Sequence, residues 1–192
     1  MNMYICPVCK SALTLQDKSL KCKNNHTYDL AKSGYVNLLL SSQMNSKLPG
    51  DNKMMVNSRR DFLDNGYYSV LMNELCECVK NNAKNGDIIL DCGCGEGYYT
   101  ANIKHFLDKT NLQTSIFGID ISKNAADAAA KRNKDIFYAA ASVFHIPFSD
   151  NSCDILISVF APYSEKEFFR VLKKGGKMIL VIPSERHLYE LK

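Results

Sequence analysis

Three glycines that alternate with other residues join an apolar run to a helical pattern near the middle of the chain. The apolar run ends near Asp91, and Gly93, Gly95 and Gly97 follow it. Glycine lets a backbone turn sharply and approach a ligand closely, and doubly wound sheets bind nucleosides at the carboxyl ends of their strands. The segment therefore predicts a small-molecule site between a strand and a helix.

The spacing of the glycines distinguishes between two ligands. A dinucleotide fingerprint has the order G-x-G-x-x-G, but here Gly97 comes one residue early and Tyr98 fills the last position. Asp91 would also repel a pyrophosphate, whereas it suits the ammonium and sulfonium groups of S-adenosylmethionine. We therefore expect S-adenosylmethionine rather than NAD, and a turn without a ligand seldom needs three glycines.

A second acid follows at the distance expected for the ribose of the same cofactor. Residues 114–119 form a short run that ends in Asp120, and Ser122 can cap the alanine-rich helix that follows. An acid at this strand end faces ribose hydroxyls in doubly wound folds, although Asp120 could instead serve only as a helix cap. The cofactor contacts expected from these two segments are Asp91, Gly93, Cys94, Gly95, Glu96, Gly97, Tyr98, Asp120 and Ile121.

Four residues near the start of the chain have the types and spacing of a metal site. Cys6 and Cys9 form a C-x2-C pair, and after twelve residues Cys22 and His26 form a C-x3-H pair. Soft thiolates with one imidazole suit a closed tetrahedral zinc site that has no open position for catalysis. So small a unit has almost no core, so zinc would supply its folding free energy, on the order of 10 kcal/mol. We expect Cys22→Ser to unfold it.

Composition limits the remaining possibilities. A chain of 192 residues with 46% hydrophobic and 23% charged residues can form one core with a small appendage. It has no apolar stretch of membrane-spanning length and no signal peptide, so we expect a cytoplasmic protein. Three of its eight cysteines cluster near the start, which indicates a metal rather than a disulfide framework. The cysteines in predicted helices and strands are expected in the core: Cys76, Cys78, Cys92 and Cys153.

The net charge of +4 is unevenly distributed. Residues 1–60 carry a net charge of +6, and residues 61–192 carry −2. The basic first third could meet a large anionic partner such as RNA, or it could be a solvated basic face, and charge alone does not separate the two.

The order of predicted elements indicates an α/β fold with a doubly wound parallel sheet. Strands are expected near 87–92, 115–119, 136–140, 153–159 and 177–182, with helices near 97–108, 122–133 and 164–173. Upstream we expect a hairpin turning at 16–19, a strand at 34–40, a loop, and two helices between 53 and 81 that break at Asn65 and Gly66. The predicted domains are a zinc module (1–38), a linker with helices (39–84) and a cofactor-binding domain (85–192).

The sequence resembles, over essentially its whole length, the RlmA family of 23S rRNA guanine-N1 methyltransferases, which includes the tylosin-resistance type. Several motifs outside the glycine loop carry the resemblance: Cys6-Pro7-x-Cys9, His26-x-Tyr28-Asp29-x-Ala31, Gly34 to Leu39, Pro49-Gly50-Asp51, Arg59-Arg60-x-Phe62-Leu63-Asp64-x-Gly66-x-Tyr68, Ser142 to Phe148, Ala161-Pro162 and Arg186-His187-Leu188-x-Glu190-Leu191-Lys192. A class I methyltransferase sheet normally continues to a C-terminal antiparallel hairpin. Because the chain stops at Lys192, we expect a fragment whose fifth methyltransferase strand is an exposed edge.

The resemblance implies a class I, Rossmann-like methyltransferase fold and methylation of guanine N1 in a 23S rRNA hairpin loop. It implies that Tyr68 and His187 also contact the methyl donor. Ser142 stands where many methyltransferases carry an acid that binds the adenine amine, so we expect the neighbouring backbone to bind that amine. The implied partner is 23S rRNA, with a second copy of the chain as a further candidate.

The residue that removes the guanine N1 proton is not evident from the sequence. Asp51, in a polar loop predicted to be mobile, is a candidate, although such an acid is more often only solvated. Ala161-Pro162-Tyr163 lacks the leading Asn or Asp of amino-methyltransferases, which disfavours chemistry on an exocyclic amine. Two alternatives stay open: a zinc-ribbon RNA-binding protein with an inactive donor site, and a small-molecule methyltransferase.

Overall fold

The computed structural model describes residues 3–44 and 49–185, beginning with a small antiparallel sheet. Its strands are β1 (Leu13–Gln16), β2 (Ser19–Cys22) and β3 (Thr27–Asp29), in the order β1-β2-β3. The predicted hairpin is confirmed, because Gln16 pairs with Ser19 across a two-residue turn in which Asp17 has a φ of 54°. Leu13 and Leu20 are buried, whereas Leu15 is exposed.

A six-stranded, entirely parallel sheet forms the centre of the fold. Its strands are β4 (Val36–Asn37), β5 (Ile88–Cys92), β6 (Ser115–Asp120), β7 (Phe137–Ala140), β8 (Cys153–Val159) and β9 (Leu172–Val181). They lie in the order β4-β7-β6-β5-β8-β9, which confirms the doubly wound sheet. The order reverses between β5 and β8, so a crevice opens at the carboxyl ends of β5, β6 and β8.

Five α-helices connect and precede these strands in the part of the chain that the structure describes. They are α1 (Lys53–Asp64), α2 (Ser69–Asn82), α3 (Tyr98–Lys109), α4 (Lys123–Arg132) and α5 (Glu165–Val171). The predicted break after α1 is confirmed, and Ser122 caps α4 by accepting a hydrogen bond from the backbone N–H of Ala125 at 3.2 Å. None of these helices has the length and apolar character needed to cross a membrane.

The two faces of the large sheet are covered by different parts of the chain. On one face, α2, α3 and α4 contribute Leu75, Ile103 and Ala129 to a cluster that contains Ile89 of β5. On the other face, α5 and the N-terminal segment share a cluster with β5 and β6. Tyr4 belongs to this second cluster. The metal-ligand region and the large sheet therefore have a common core.

Tyr4 connects the N-terminal segment to the sheet. Its ring packs edge-on against Phe117 at 5.5 Å and Phe148 at 5.4 Å between ring centroids. Its hydroxyl donates a hydrogen bond to the carbonyl of Phe137 at 2.9 Å. The backbone N–H of Ile5 donates to the carbonyl of Pro147 at 2.9 Å, so the segment is anchored by both side chain and backbone.

Three local predictions were wrong. The strand expected at 34–40 is only the two-residue β4, which pairs with the edge of the sheet at β7. The helix expected to end near residue 173 stops at Val171, because Leu172 already has extended backbone and Lys173 binds the carboxylate of Asp154 at 2.7 Å. Cys78 is exposed on α2, whereas Cys76, Cys92 and Cys153 are buried as expected.

Phe160, the first residue after β8, has a left-handed backbone conformation. Its φ is 52°, and its backbone N–H donates a hydrogen bond to the carbonyl of Val181 in β9 at 2.9 Å. A bulky side chain in this region costs about 1 to 2 kcal/mol, so the surrounding sheet must hold the conformation in place.

We predict that Phe160→Gly is more stable than Phe160→Ala. Both variants lose the ring, but only alanine keeps the left-handed strain, so their free energies of unfolding should differ by about 1 kcal/mol in urea titrations. The matched control is Phe169, an exposed residue of α5, where the order should reverse because glycine destabilises a helix by about 1 kcal/mol. If the alanine variant were more stable than the glycine variant at both positions, the backbone at Phe160 would not be strained.

Candidate cofactor site and metal centre

A cavity of about 500 Å³ opens at the crevice between the strand ends. It brings together nine of the twelve cofactor contacts expected from the sequence. These nine are Tyr68, Gly93, Cys94, Gly95, Glu96, Tyr98, Asp120, Ile121 and Ser142. Asp91 and Gly97 do not line the cavity, and His187 lies outside the described residues.

Gly97 has a packing role at the start of α3. It precedes the helix with a φ of 86°, and a Cβ atom there would lie 2.9 Å from the Cβ of Ala129 in α4. The third glycine therefore allows α3 and α4 to approach each other closely. This contact accounts for Gly97 without any contact to a ligand.

Asp120 connects the glycine loop to the end of β6. One carboxylate oxygen accepts a hydrogen bond from the backbone N–H of Gly95 at 2.9 Å, and the other accepts from that of Ser122 at 2.8 Å. Burial raises the pKa of Asp120, and these two hydrogen bonds oppose the increase. Each oxygen has a second lone pair, which leaves acceptor capacity for hydroxyl groups in the cavity.

Asp91 lies beneath the glycine loop. It is 2% exposed, and the hydroxyl of Thr100 donates a hydrogen bond to its carboxylate at 2.5 Å. Burial raises its pKa to about 7. Because Asp91 does not line the cavity, it can act on a ligand there only through the charge that its carboxylate carries above about pH 7.

The carboxylate of Glu96 is engaged by a residue that the sequence did not suggest. Glu96 is 2% exposed and pairs with the guanidinium of Arg132 at 2.5 Å, while the same guanidinium bonds to Asp64 at 2.9 Å. The three side chains join the glycine loop to the ends of α4 and α1. Glu96 therefore holds the loop in place. It lines the cavity as expected, but its carboxylate is bonded to Arg132.

Asp51 is held over the cavity. Its backbone carbonyl accepts a hydrogen bond from the hydroxyl of Ser122 at 2.6 Å, and its carboxylate accepts one from Arg59 at 2.8 Å. A Cβ atom on Gly50, which has a φ of 77°, would lie 2.9 Å from a methyl group of Ile121. The loop was expected to be mobile, but these contacts hold Gly50 and Asp51 against the end of β6.

Sequence reasoning assigned no cofactor contact to several residues of the cavity wall, because their positions in the wall depend on tertiary packing. They are Val56, Arg59, Phe62, Tyr99, Val143, Phe144 and Phe160. A bulky aromatic residue directly after β8 was the available signal for Phe160. The hydroxyl of Ser142 accepts a hydrogen bond from the backbone N–H of Phe144 at 3.2 Å, so Ser142 also shapes the loop after β7.

Cys6, Cys9, Cys22 and His26 converge as the spacing predicted. One ligand atom from each residue lies within 4.8 Å of all the others. The sulfur atoms of Cys9 and Cys22 are 3.6 Å apart, close to the edge of about 3.8 Å that Zn–S bonds of about 2.3 Å give in a tetrahedron.

The surroundings of the cluster favour thiolate ligands. Hydrogen bonds lower the pKa of Cys9 to about 5, and the largest contribution comes from the Ser11 side chain, 3.0 Å from the Cys9 sulfur. The hydroxyl of Tyr28 lies 3.2 Å from the sulfur of Cys6. Three cysteines and one histidine with such partners fit a structural zinc ion.

Two sequence families match separate parts of the chain. Residues 4–47 match the zinc-ribbon family described as "RlmA, N-terminal", and residues 90–180 match a methyltransferase domain family. A 23S rRNA (guanine(748)-N(1))-methyltransferase from Streptomyces fradiae is 35% identical over 190 residues, which cover 97% of this chain and 65% of that protein. A Bacillus subtilis protein named as a candidate 23S rRNA (guanine-N(1)-)-methyltransferase is 35% identical over 100% of this chain and 68% of its own length.

One solved structure has a similar fold. A crystal structure described as an S-adenosyl-L-methionine-dependent methyltransferase candidate from Methanococcus maripaludis has a TM-score of 0.59 and 21% identity, covering 73% of this chain and 68% of that one. At this identity the likeness shows the fold alone.

The fold and the two sites define a class I S-adenosylmethionine-dependent methyltransferase domain joined to a zinc ribbon. Its cofactors are S-adenosylmethionine and zinc. The chain belongs to the RlmA family of 23S rRNA (guanine-N1)-methyltransferases. It spans about two thirds of the length of these two relatives.

We predict that the affinity for S-adenosylmethionine depends on the protonation of Asp91. Its pKa of about 7 means that the carboxyl is largely neutral below pH 7, whereas a cationic donor favours the ionised form. Affinity should therefore be full above pH 7 and fall by up to about tenfold per pH unit below it.

Calorimetric titrations between pH 5.5 and 8.5 would measure this dependence. Asp91→Asn should weaken binding above pH 7 and flatten the curve, while Asp61→Asn, at an exposed position of α1, should leave the curve unchanged. If Asp91→Asn kept the wild-type dependence of affinity on pH, the group that titrates near pH 7 would be a residue other than Asp91.

Proposed function

We propose that the protein transfers a methyl group from S-adenosylmethionine to N1 of a guanine in 23S rRNA. The observation that carries this proposal is the 35% identity to the Streptomyces fradiae guanine-N1 methyltransferase, which extends through both the zinc ribbon and the cavity-bearing sheet. A shared methyltransferase domain alone would support only the fold. Agreement across both parts favours a common RNA substrate.

The proposed donor site is the cavity at the ends of β5 and β6. In this assignment, the loop from Gly93 to Glu96 binds the methionine end, Asp120 binds the ribose hydroxyls, and Asp91 balances the positive charge from below. Ile121 and the backbone near Ser142 hold the adenine. Tyr68 and His187 are assigned contacts with the methyl donor because the resemblance to the family implies them.

The reaction requires a nucleophile at guanine N1, which carries a proton at neutral pH. When bound, S-adenosylmethionine supplies a methyl group on a positively charged sulfur, and this sulfur leaves as a neutral thioether when a nucleophile attacks the methyl carbon. The protein contributes alignment and exclusion of water in a closed site, together with an acceptor for the N1 proton. Asp51 is the proposed acceptor, because Arg59 bonds only one oxygen of its partly exposed carboxylate. By contrast, Glu96 is buried beside Arg132, and both carboxylate oxygens of Asp120 accept backbone N–H groups.

We assign RNA docking to the zinc ribbon. The sequence places a net charge of +6 in residues 1–60, and Lys10, Lys18, Lys23 and Lys32 are exposed. Phosphate groups attract such lysines, whereas a structural zinc site has no opening for catalysis.

The proposed division of the chain is a zinc module (1–38), a linker with helices (39–84) and a donor-binding domain (85–192). Assembly with a second copy stays a prediction.

We predict that the protein methylates unmodified 23S rRNA at one guanine. The zinc-loaded chain, alone and extended at its C-terminus by the corresponding segment of the Bacillus subtilis relative, would be incubated with radiolabelled S-adenosylmethionine and the RNA. One methyl group per RNA should be incorporated by at least one of the two proteins. Methylation at N1 blocks the Watson–Crick edge, so reverse transcription should stop at that guanine.

Three results would contradict this function. Donor binding without transfer by either protein would favour the zinc-ribbon RNA-binding alternative. Incorporation at a position that does not stop reverse transcription would exclude N1. Transfer to a small aromatic acceptor but not to RNA would favour the small-molecule alternative.

A further inference from the structure

Asp51 and Arg59 form an ion pair on the wall of the donor cavity. Both the Nε and the Nη2 groups of Arg59 donate hydrogen bonds to the same carboxylate oxygen of Asp51, Oδ2, at 3.2 Å and 2.8 Å. The other oxygen, Oδ1, accepts no hydrogen bond from the residues that the structure describes. A guanidinium has more N–H groups than these two, so the pair offers an acceptor and further donors side by side.

The backbone on both sides of the pair is held in place. The carbonyl of Asp51 accepts a hydrogen bond from the hydroxyl of Ser122 at 2.6 Å, and the backbone N–H of Ser122 donates to Asp120 at 2.8 Å. Directly after Asp51, the side chain of Asn52 caps α1 by accepting from a backbone N–H at 3.0 Å, and Arg59 lies in that helix. The two charged groups are therefore attached to the end of β6 and to α1.

The exposure of the pair leaves it open to a ligand. The side chain of Arg59 is 53% exposed and that of Asp51 is 26% exposed. An ion pair this open to water contributes little to the stability of a fold. Both side chains also line the donor cavity, so a group that enters the cavity from solvent can reach both of them.

The order of donor and acceptor in the pair indicates which base it can bind. The Watson–Crick edge of guanine has the acceptor O6 next to the donor N1–H. Adenine has the reverse order, with its amine as donor next to N1 as acceptor. A guanidinium beside a carboxylate oxygen therefore complements guanine and opposes adenine, and proteins commonly read unstacked RNA bases through this edge.

We propose that the Asp51–Arg59 pair binds the Watson–Crick edge of the target guanine, with Arg59 donating to O6 and Oδ1 of Asp51 accepting from N1–H. This inference rests on the proposed function. It assigns to Arg59 the selection of guanine, which is separate from the proton acceptance assigned to Asp51.

The same two contacts suit methyl transfer to N1. As N1 forms its bond to the methyl carbon, the C–S bond of the donor breaks and its electron pair goes to sulfur. The N1 proton passes to Oδ1 of Asp51, and the electron pair of the N–H bond stays in the base, where O6 carries part of the negative charge. The guanidinium of Arg59 beside O6 favours that charge.

The test compares RNA hairpins that differ only at the target base. The 23S rRNA hairpin would carry guanine, inosine or 2-aminopurine at the position corresponding to 748, and each form would be titrated with zinc-loaded protein saturated with S-adenosylhomocysteine. Inosine keeps O6 and N1–H, so wild type should bind it within about threefold of guanine. 2-Aminopurine lacks both groups and should bind about 10-fold or more weakly, as expected for losing a hydrogen bond to a charged group.

Arg59→Gln is the diagnostic variant, and Arg60→Gln is its matched control. Arg60 is the next residue of α1, pairs with Asp61 and does not line the cavity. The preference for guanine over 2-aminopurine should fall to within about threefold in Arg59→Gln and stay at the wild-type value in Arg60→Gln. Both RNA forms are measured on the same variant, so a partly unfolded preparation or a general loss of RNA affinity cancels from the ratio.

Two results would overturn the proposal. One is a wild-type protein that binds the guanine and 2-aminopurine hairpins equally, which would make the pair an ordinary surface ion pair. The other is a full preference for guanine in Arg59→Gln, which would assign the recognition of the base to other residues.

A methyl-transfer assay on the guanine hairpin separates failure of this proposal from failure of the proposed function. A preference for guanine that Arg59→Gln abolishes, without methyl transfer by wild type or by the C-terminally extended chain, would support the recognition and reject the proposed function. Methylation at N1 by wild type, with the preference unchanged in Arg59→Gln, would reject the recognition and support the proposed function.

Discussion

The fold depends on how the parallel sheet buries its second face. In a doubly wound fold both faces of the sheet are apolar and must be covered. Here α2, α3 and α4 cover one face, but α5 covers only part of the other, and the N-terminal segment around Tyr4 completes it. Because Tyr4 lies two residues from Cys6, the metal ligands and the sheet are mechanically connected.

This connection changes the role of the zinc ion. A zinc ribbon on a flexible linker would fold and unfold by itself, and its loss would leave the methyltransferase sheet intact. In this chain Leu13, Leu20 and Cys22 belong to the same core cluster as Leu90 and Phe117. Zinc binding therefore contributes to the stability of the strands whose ends form the donor site.

A second constraint acts at the donor site itself. Glu96 is buried in the glycine loop, and its charge requires the guanidinium of Arg132, which also binds Asp64. Removing one partner from such a buried pair is strongly destabilising, whereas the intact bridge fixes the loop relative to α1. The loop, α1 and the Asp51 segment are thus held around one cavity.

Predictions from local spacing agreed with the structure more often than predictions that depended on distant contacts. The zinc ligands, the glycine loop and Asp120 were predictable because short spacings and strand ends determine their chemistry. Arg132 lies 36 residues from Glu96, so its bridge leaves no local pattern. Tyr4 joins the core only through tertiary packing, and the short β4 is a strand only because β7 provides an edge. Lys173 was expected to end a helix, but it lies in β9, where it forms an ion pair with Asp154 of the neighbouring strand β8.

The most direct test of this account is amide hydrogen exchange at Phe117, Gly118 and Ile119 of β6, measured before and after zinc is removed by a chelator. These amides are in the sheet and distant in sequence from every metal ligand. If the zinc ribbon and the sheet share one core, removal of zinc should accelerate their exchange by about tenfold or more, and readdition should restore it. Unchanged exchange in β6, with faster exchange confined to residues 4–30, would show that the ribbon folds independently and would contradict the account.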